Sequence, residues 1–428
     1  MSKITAGYGE SIITPPLGVE LCGYGFYLER RAESVSDDLK ARAVCVSADK
    51  KTLFLIACDL IGFDAETSDR IRGAIASEHH IPQENVLLAC THTHSGPATA
   101  SLHGCGEMAP EYVRQLPELI VEAARRAARD RTPCEVTNGS EQSEPIGYNR
   151  RFKIFQPIDP TISAVIFERE NFPICIFSYA CHAVTLGPNT AVSADWPGAA
   201  ARAMEREGYH CVCFQGFCGD IDPVCNLNKW GGGTPEDLAL YGNILKYHLL
   251  NITNNNRPEK SPVLAAAERR ISLPLAVPPD KGALGKEYRE LRSEKNDRSW
   301  EKFADEWRRS TETVLDRFHA HPYLDNVPVQ AMRLGKMNLL ALPGEIFCEY
   351  GLKLRSQFPP FMAIGYANGN TGYWPVKTAF DNAGDYAACL APKIYGTFPF
   401  TSAIEDIISN VCWEILTGKM DNPPLVPG

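Results

Sequence analysis

The chain predicts a mixed α/β fold in which β-sheets are surrounded by helices. Three observations predict it. Apolar runs of strand length recur along the sequence, stretches of helical period lie between them, and no internal repeat, low-complexity tract or interdomain linker interrupts the series. One continuous unit over residues 1–428 is the expected organisation.

The elements follow in order. LKARAVCVSA and KTLFLIACDL flank DKK and read as a hairpin. ETSDRIRGAIASEHH has the period of a helix, NVLLACTH is a buried strand ending near His92, and EYVRQLPELIVEAARRAARD is a longer amphipathic helix. TISAVIFERE and FPICIFSYACH are two strands around a short polar turn, the second ending at His182. Asp195 is placed to cap the helix WPGAAARAMEREG, whose Pro197 suits a first turn. CVCFQGF is a strand feeding the long loop CGDIDPVCNLNKWGGGTPED, rich in glycine, proline and asparagine. Residues 283–320 are charge-dense and helical in period, and read as a helical hairpin packed on the main body, with a lid or an oligomer contact as the sharper alternatives. PVQAMRLGKMNLLALPGE is a hairpin ending at Glu345, followed by the helix IFCEYGLKLRSQF and the strand FMAIGYANG.

Composition excludes several function classes. Lys and Arg number 43 against 52 Asp and Glu, a net charge of -9, and no long basic run is present to follow a phosphate backbone, so nucleic acid is not an expected partner. The opening residues lack the apolar core of a signal peptide, and no segment reaches the roughly 18 uninterrupted apolar residues of a membrane helix. A cytoplasmic protein without stable membrane association is therefore expected. The 15 cysteines are odd in number in a large chain, and Cys211, Cys213, Cys218 and Cys225 follow no paired C-x-x-C spacing, which points to free thiols packed as small hydrophobes.

Histidine is used sparingly, with ten in 428 residues, yet ACTHTHSGPATASLH holds His92, His94 and His103 within residues 89–103. Four strand-end loops then offer polar groups: His92 with His94, His182, Asp220 with Asp222, and Glu345. Two or three imidazoles and one carboxylate, delivered by separate loops, meet the needs of a tetrahedral catalytic zinc ion, which leaves one position to water or substrate. Trp230 and Trp374 are positioned along the chain to shape a pocket, and His103 reads as a loop histidine near its mouth.

ITPPLG near the start, THTHSGP at 91–97, YNRR at 148–151, GDIDP at 219–223, LPGE at 342–345 and GY at 372–373 occur in the order found in the neutral ceramidases, and the chain resembles the amidohydrolase domain of that family. The resemblance implies a neutral-ceramidase-like fold and one zinc ion bound by His92, His182, Glu345 and Tyr373. It implies that His94 faces the substrate and steadies an oxyanion, and that Arg150 reaches a polar group of the substrate. The family's immunoglobulin-like carboxy-terminal domain is not expected here.

The family segment G-D-V-S-P-N carries a nucleophilic serine, and Asp222 stands in its place. Three roles are open to Asp222: base towards water, which is preferred; direct nucleophile; or, with Asp220 and Asp59, ligand of a second metal. The combined reading is a zinc-dependent hydrolase that cleaves a C–N or C–O acyl bond of a small polar molecule, such as a sugar lactone or an acylated amino sugar, by metal-activated water. The alternatives are an N-acyl lipid amidase and a zinc-containing ligand-binding protein without turnover. Homo-oligomerisation is left open.

Overall fold

The computed structural model describes residues 4–295 and 297–418. Its larger sheet contains β1 (Thr5–Ile12), β3 (Lys40–Ala48), β4 (Lys51–Cys58), β5 (Val86–Cys90), β6 (Thr132–Gln142), β8 (Thr161–Arg169), β9 (Ile174–Tyr179) and β11 (His210–Gln215), in the order β11-β9-β8-β6-β1-β3-β4-β5. The predicted hairpin is the antiparallel β3–β4 pair, with Ala48 opposite Lys51, while β4–β5 and β9–β11 run parallel. A second sheet, β13-β14-β15-β17, is built from β13 (Leu264–Pro274), β14 (Tyr323–Leu334), β15 (Met337–Ala341) and β17 (Phe361–Ile364).

Alternation along these strands sets four layers. On β3 and β4, Ala43, Cys45, Phe54 and Ile56 face one way and pack on α1 (Ala65–Glu78), α2 (Pro110–Arg129), α3 (Asp195–Glu205) and α4 (Pro235–Asn255). Their neighbours Val44, Val46, Leu53 and Leu55 face the opposite way, against Met332, Leu334 and Leu339 of the second sheet. On that sheet Val329, Ala331 and Leu340 turn outward to the remaining helices: α5 (Lys281–Ser293), α6 (Arg298–Ala320), α7 (Cys348–Gln357), the short α8 (Lys377–Phe380) and α9 (Ala391–Ile394), and α10 (Ile404–Thr417). Period-two burial on both faces of both sheets thus yields helix, sheet, sheet, helix, the stacking expected when each strand must hide two apolar faces. The mixed sheets and surrounding helices agree with the predicted class, and the charged segment forms the α5–α6 hairpin.

Two expectations are corrected at element ends. β9 stops at Tyr179, three residues before His182, because His182 turns aside to bond Ile221. Asp195 does not cap α3 from outside: it is the helix's first residue, at φ 54°, and its carboxylate accepts from the N–H groups of Thr185, Leu186 and Trp196. The sequence shows a good capping residue but not the distant loop whose free N–H groups compete for it.

The ends of the larger sheet are drawn towards each other beside β17. Gly365 N–H donates to Gln215 O at the end of β11, Cys90 N–H at the end of β5 donates to Tyr366 O, and the Gln215 amide reaches Thr91 O. Loops that leave β5, β9 and β11 therefore meet at one place. Three two-stranded ladders lock their register: β2 (Ser34–Val35) with β10 (Ala191–Val192), β7 (Gly147–Asn149) with β12 (Ile221–Pro223), and β16 (Glu345–Ile346) with β18 (Tyr373–Trp374).

Candidate functional site

His92 follows β5 in a left-handed backbone conformation, φ 59°, an uncommon state for a bulky residue that the surrounding bonds must hold. Its N–H donates to Leu60 O, and its ring Nδ1 lies 2.6 Å from Ile61 O. His182 is tied in the same manner, N–H to Ile221 O, ring Nδ1 at 2.7 Å from Cys218 O and 3.1 Å from Ile221 O. A carbonyl accepts only, so each Nδ1 carries a proton, and each Nε2 is left to offer a lone pair to an ion or, in a charged ring, a second proton to a carboxylate. Both Nε2 atoms face one carboxylate: Glu345 Oε2 is 2.9 Å from His182 Nε2 and 3.6 Å from His92 Nε2.

Two imidazole Nε2 atoms and a carboxylate facing one another in a buried space need a positive charge among them, a proton or a metal ion. Burial brings His92 down to about 4, with Glu345 opposing. At His182, burial and Arg150 act downward, but the Cys218 and Glu345 contacts more than offset them, and its value rises to about 10. Glu345, against burial, is held at about 2 by His92, His182 and Arg150. The cluster therefore favours one added positive charge. A metal ion fits this donor set, and the ring nitrogens of His92, His94 and His182 all lie within 4.8 Å of one another.

His94 stands closer to this group than a purely substrate-facing residue. Its Nε2 is 3.1 Å from His92 Nε2, where it must donate, and its buried Nδ1 has no partner. Burial, then the neighbouring imidazoles, hold it well below the usual histidine range, so the ring is neutral. Gly23, at φ 87°, makes the placement feasible: a Cβ there would lie 2.2 Å from His94 Nδ1.

Short ladders set the remaining groups. Glu345 is the register partner of Tyr373 across β16–β18, and Tyr148 that of Asp222 across β7–β12. Arg150 N–H donates to Asp220 O, and its guanidinium donates to Gly219 O and Tyr373 Oη, both at 2.7 Å, and to Asp222 Oδ1 at 3.2 Å. Asp222 Oδ2 accepts no hydrogen bond among the described residues. Arg151 points elsewhere, to Asp385. Two further tyrosines complete the cluster, and sequence reasoning missed the first: Tyr395 Oη is 2.5 Å from Glu345 Oε1, and Tyr366, seven residues before Tyr373, stacks on His92 with ring centres 4.1 Å apart while its Oη lies 3.4 Å from Glu345.

The second-metal arrangement is redrawn. Asp59 is bound to Arg42 at 2.6 Å and to Lys40 N–H, and Asp222 to Arg150, so neither joins Asp220. Asp220 meets Cys348 and Glu349 instead. Trp374 is fully buried, its Nε1 bonded to Thr371, whereas Trp230 lines a cavity. His103 contacts Glu306 of α6 at 3.3 Å, and all 15 cysteines are free.

Two cavities reach the cluster. An outer one of about 590 Å³ is lined by Tyr148, Arg150, Asp222, Asn226, Trp230 and Tyr386. An inner one of about 330 Å³ is lined by Phe26, Ile61, Leu102, Trp300, Leu390 and Ile394. His94 and Tyr373 are common to both, so the polar and the apolar spaces meet at the histidines.

Residues 5–213 match the family model described as neutral/alkaline non-lysosomal ceramidase, N-terminal. The fold is similar to that of the neutral ceramidase from Pseudomonas aeruginosa, with a TM-score of 0.75 at 17% identity, covering 99% of this chain and 76% of that one. A structure titled as a ceramidase complexed with C2 is similar to the same degree, TM-score 0.75 at 18% identity, covering 100% of this chain and 78% of the other. No curated protein matches the chain by sequence.

Proposed function

We propose, from the match of residues 5–213 to the neutral/alkaline non-lysosomal ceramidase model, that the chain is a hydrolase of that family, a zinc-dependent amidase that cleaves an N-acyl amide. The observation that carries the reading is the convergence of two backbone-fixed Nε2 atoms on the Glu345 carboxylate. His92, His182, Glu345 and Tyr373 would hold the ion. When bound, zinc supplies Lewis-acid polarisation of the acyl carbonyl and lowers the pKa of water.

The residues of the chain do the rest. Asp222, with Oδ2 free and Oδ1 fixed by Arg150, accepts a proton from the attacking water and returns it to the amine nitrogen as the C–N bond breaks. Neutral His94 loses the lone pair of His92 as its acceptor once the cluster is filled, and its Nε2–H then serves the developing oxyanion. Arg150 holds Asp222 and the Tyr373 hydroxyl in one arrangement. The acyl part takes the inner apolar cavity and the amine part the outer polar one.

The matched family and both similar structures are ceramidases, which supports the amide reading over lactone and ester cleavage. Arg150, Asp222 and Asn226 in the lining of the outer cavity support an amine product that carries hydroxyl or charged groups. The test is product release, followed by mass spectrometry, from N-acyl amides of graded chain length, lactones and ceramide, with Asp222→Asn beside the zinc-loaded wild type. Amide cleavage reduced by about 10²–10⁴ in the variant, with zinc retained, is expected. Turnover confined to lactones, or a fully active Asp222→Asn, would overturn it.

A further inference from the structure

Beside the mouth of the outer cavity the polar chain turns apolar. After β7 the sequence Arg-Phe-Lys-Ile-Phe makes a turn pinned by a bridge between Asn149 and Ile154, with Lys153 at φ 55°. Phe152 is 51% exposed, Ile154 50% and Phe155 42%, and Trp230, from the loop after β12, is 51% exposed. Lys153 and Trp230 both line the cavity, so the two loops share its rim. These exposed side chains, on two loops that share the cavity rim, form an apolar fringe on a molecule of net charge -9.

Two cations of these loops are unpaired. Arg151 is neutralised by Asp385, but the exposed Lys153 and Lys229 have no ionic partner among the described residues. Aromatic and branched side chains interleaved with free lysines suit the boundary between lipid headgroups and acyl chains, where rings and methyls enter the apolar zone and ammonium groups meet phosphate. No described helix is long and apolar enough to cross a membrane, so such contact is made by loops.

We propose that this rim, Phe152–Phe155 with Lys229 and Trp230, docks the protein on an anionic bilayer surface, from which an N-acyl lipid passes into the outer cavity. The source of the substrate rests on the amidase reading; the docking does not. It revises the expectation of no stable membrane association only to a reversible, charge-dependent contact.

Co-sedimentation with vesicles tests it, using phosphatidylcholine alone and phosphatidylcholine with phosphatidylserine. Wild type is expected to bind the anionic vesicles and to be released by high salt. Ile154→Ser/Phe155→Ser should weaken binding about tenfold and Lys229→Glu about fivefold, while both cleave a dissolved short-chain N-acyl amide at the wild-type rate. Equal binding by wild type and both variants, or none by wild type at low salt, would overturn the docking. So would a lipid-independent dimer dispersed by Ile154→Ser/Phe155→Ser, which would assign the patch to a second copy of the chain. If no form cleaves any amide while the binding differences hold, the amidase reading fails and the surface stands.

Discussion

His92, His94 and His182 meet with ring nitrogens turned on one another, whereas Asp220, Cys348 and Glu349, another buried set of metal-ligand type, meet with donors turned on acceptors. Asp220 Oδ1 accepts from Cys348 N–H at 2.8 Å, and Oδ2 from the Asn149 amide at 2.7 Å and the Cys348 thiol at 3.4 Å. Burial, and then Asp220, raises Glu349 to about 7, so this set relieves its charge with protons. Its work is mechanical: Asp220 fastens the start of α7, just after Glu345, to the strand that precedes Arg150. Residue type does not separate a site from a brace; the direction of the protons does.

The largest effect that sharpens this contrast is His182→Ala, expected to abolish zinc retention and lower turnover at least about 10³-fold, measured by elemental analysis and single-substrate kinetics. Asp220→Asn should instead keep the ion and cost about 2–3 kcal/mol in denaturant unfolding, since a carboxylate that accepts from two sides is replaced by an amide that meets a donor with a donor. Gly23→Ala should cost about 1–2 kcal/mol through its positive φ and displace His94, so turnover falls while metal content holds.

The smallest effect concerns a histidine outside the site. His248 lies 2.8 Å from both Glu141 and Glu144, and although burial acts downward, these carboxylates raise its pKa. A raised folded-state value means the contact stabilises fully below about pH 6.5, the unfolded value, and fades as pH climbs through the folded one. His248→Gln should therefore cost about 0.5–1 kcal/mol at pH 6 and nearly nothing at pH 9, read from urea midpoints.

The candidate site was legible where its parts sit at strand ends. His92, His182, Arg150, Asp222 and Glu345 all carry local signals, a strand running out into a glycine- or proline-marked turn, and all are gathered in one place. Tyr395 and Tyr366 gave no such signal, since their contacts with Glu345 arise only when β17 joins the two ends of the larger sheet. Trp374 read as a pocket wall because its neighbours were right, yet a two-residue ladder beside Glu345 turns it inward. The fold was legible at the level of elements, through their periods of two and 3.6, but the four-layer stacking depends on which apolar face meets which, and both faces of β3 and β4 read alike.

Zinc stoichiometry, measured on wild type beside His182→Ala and Asp220→Asn, bears most directly on the assignment of the metal to the histidine cluster. One ion per chain in the wild type and in Asp220→Asn, with none in His182→Ala, is the predicted result. An ion retained in His182→Ala, or lost in a folded Asp220→Asn, would contradict it.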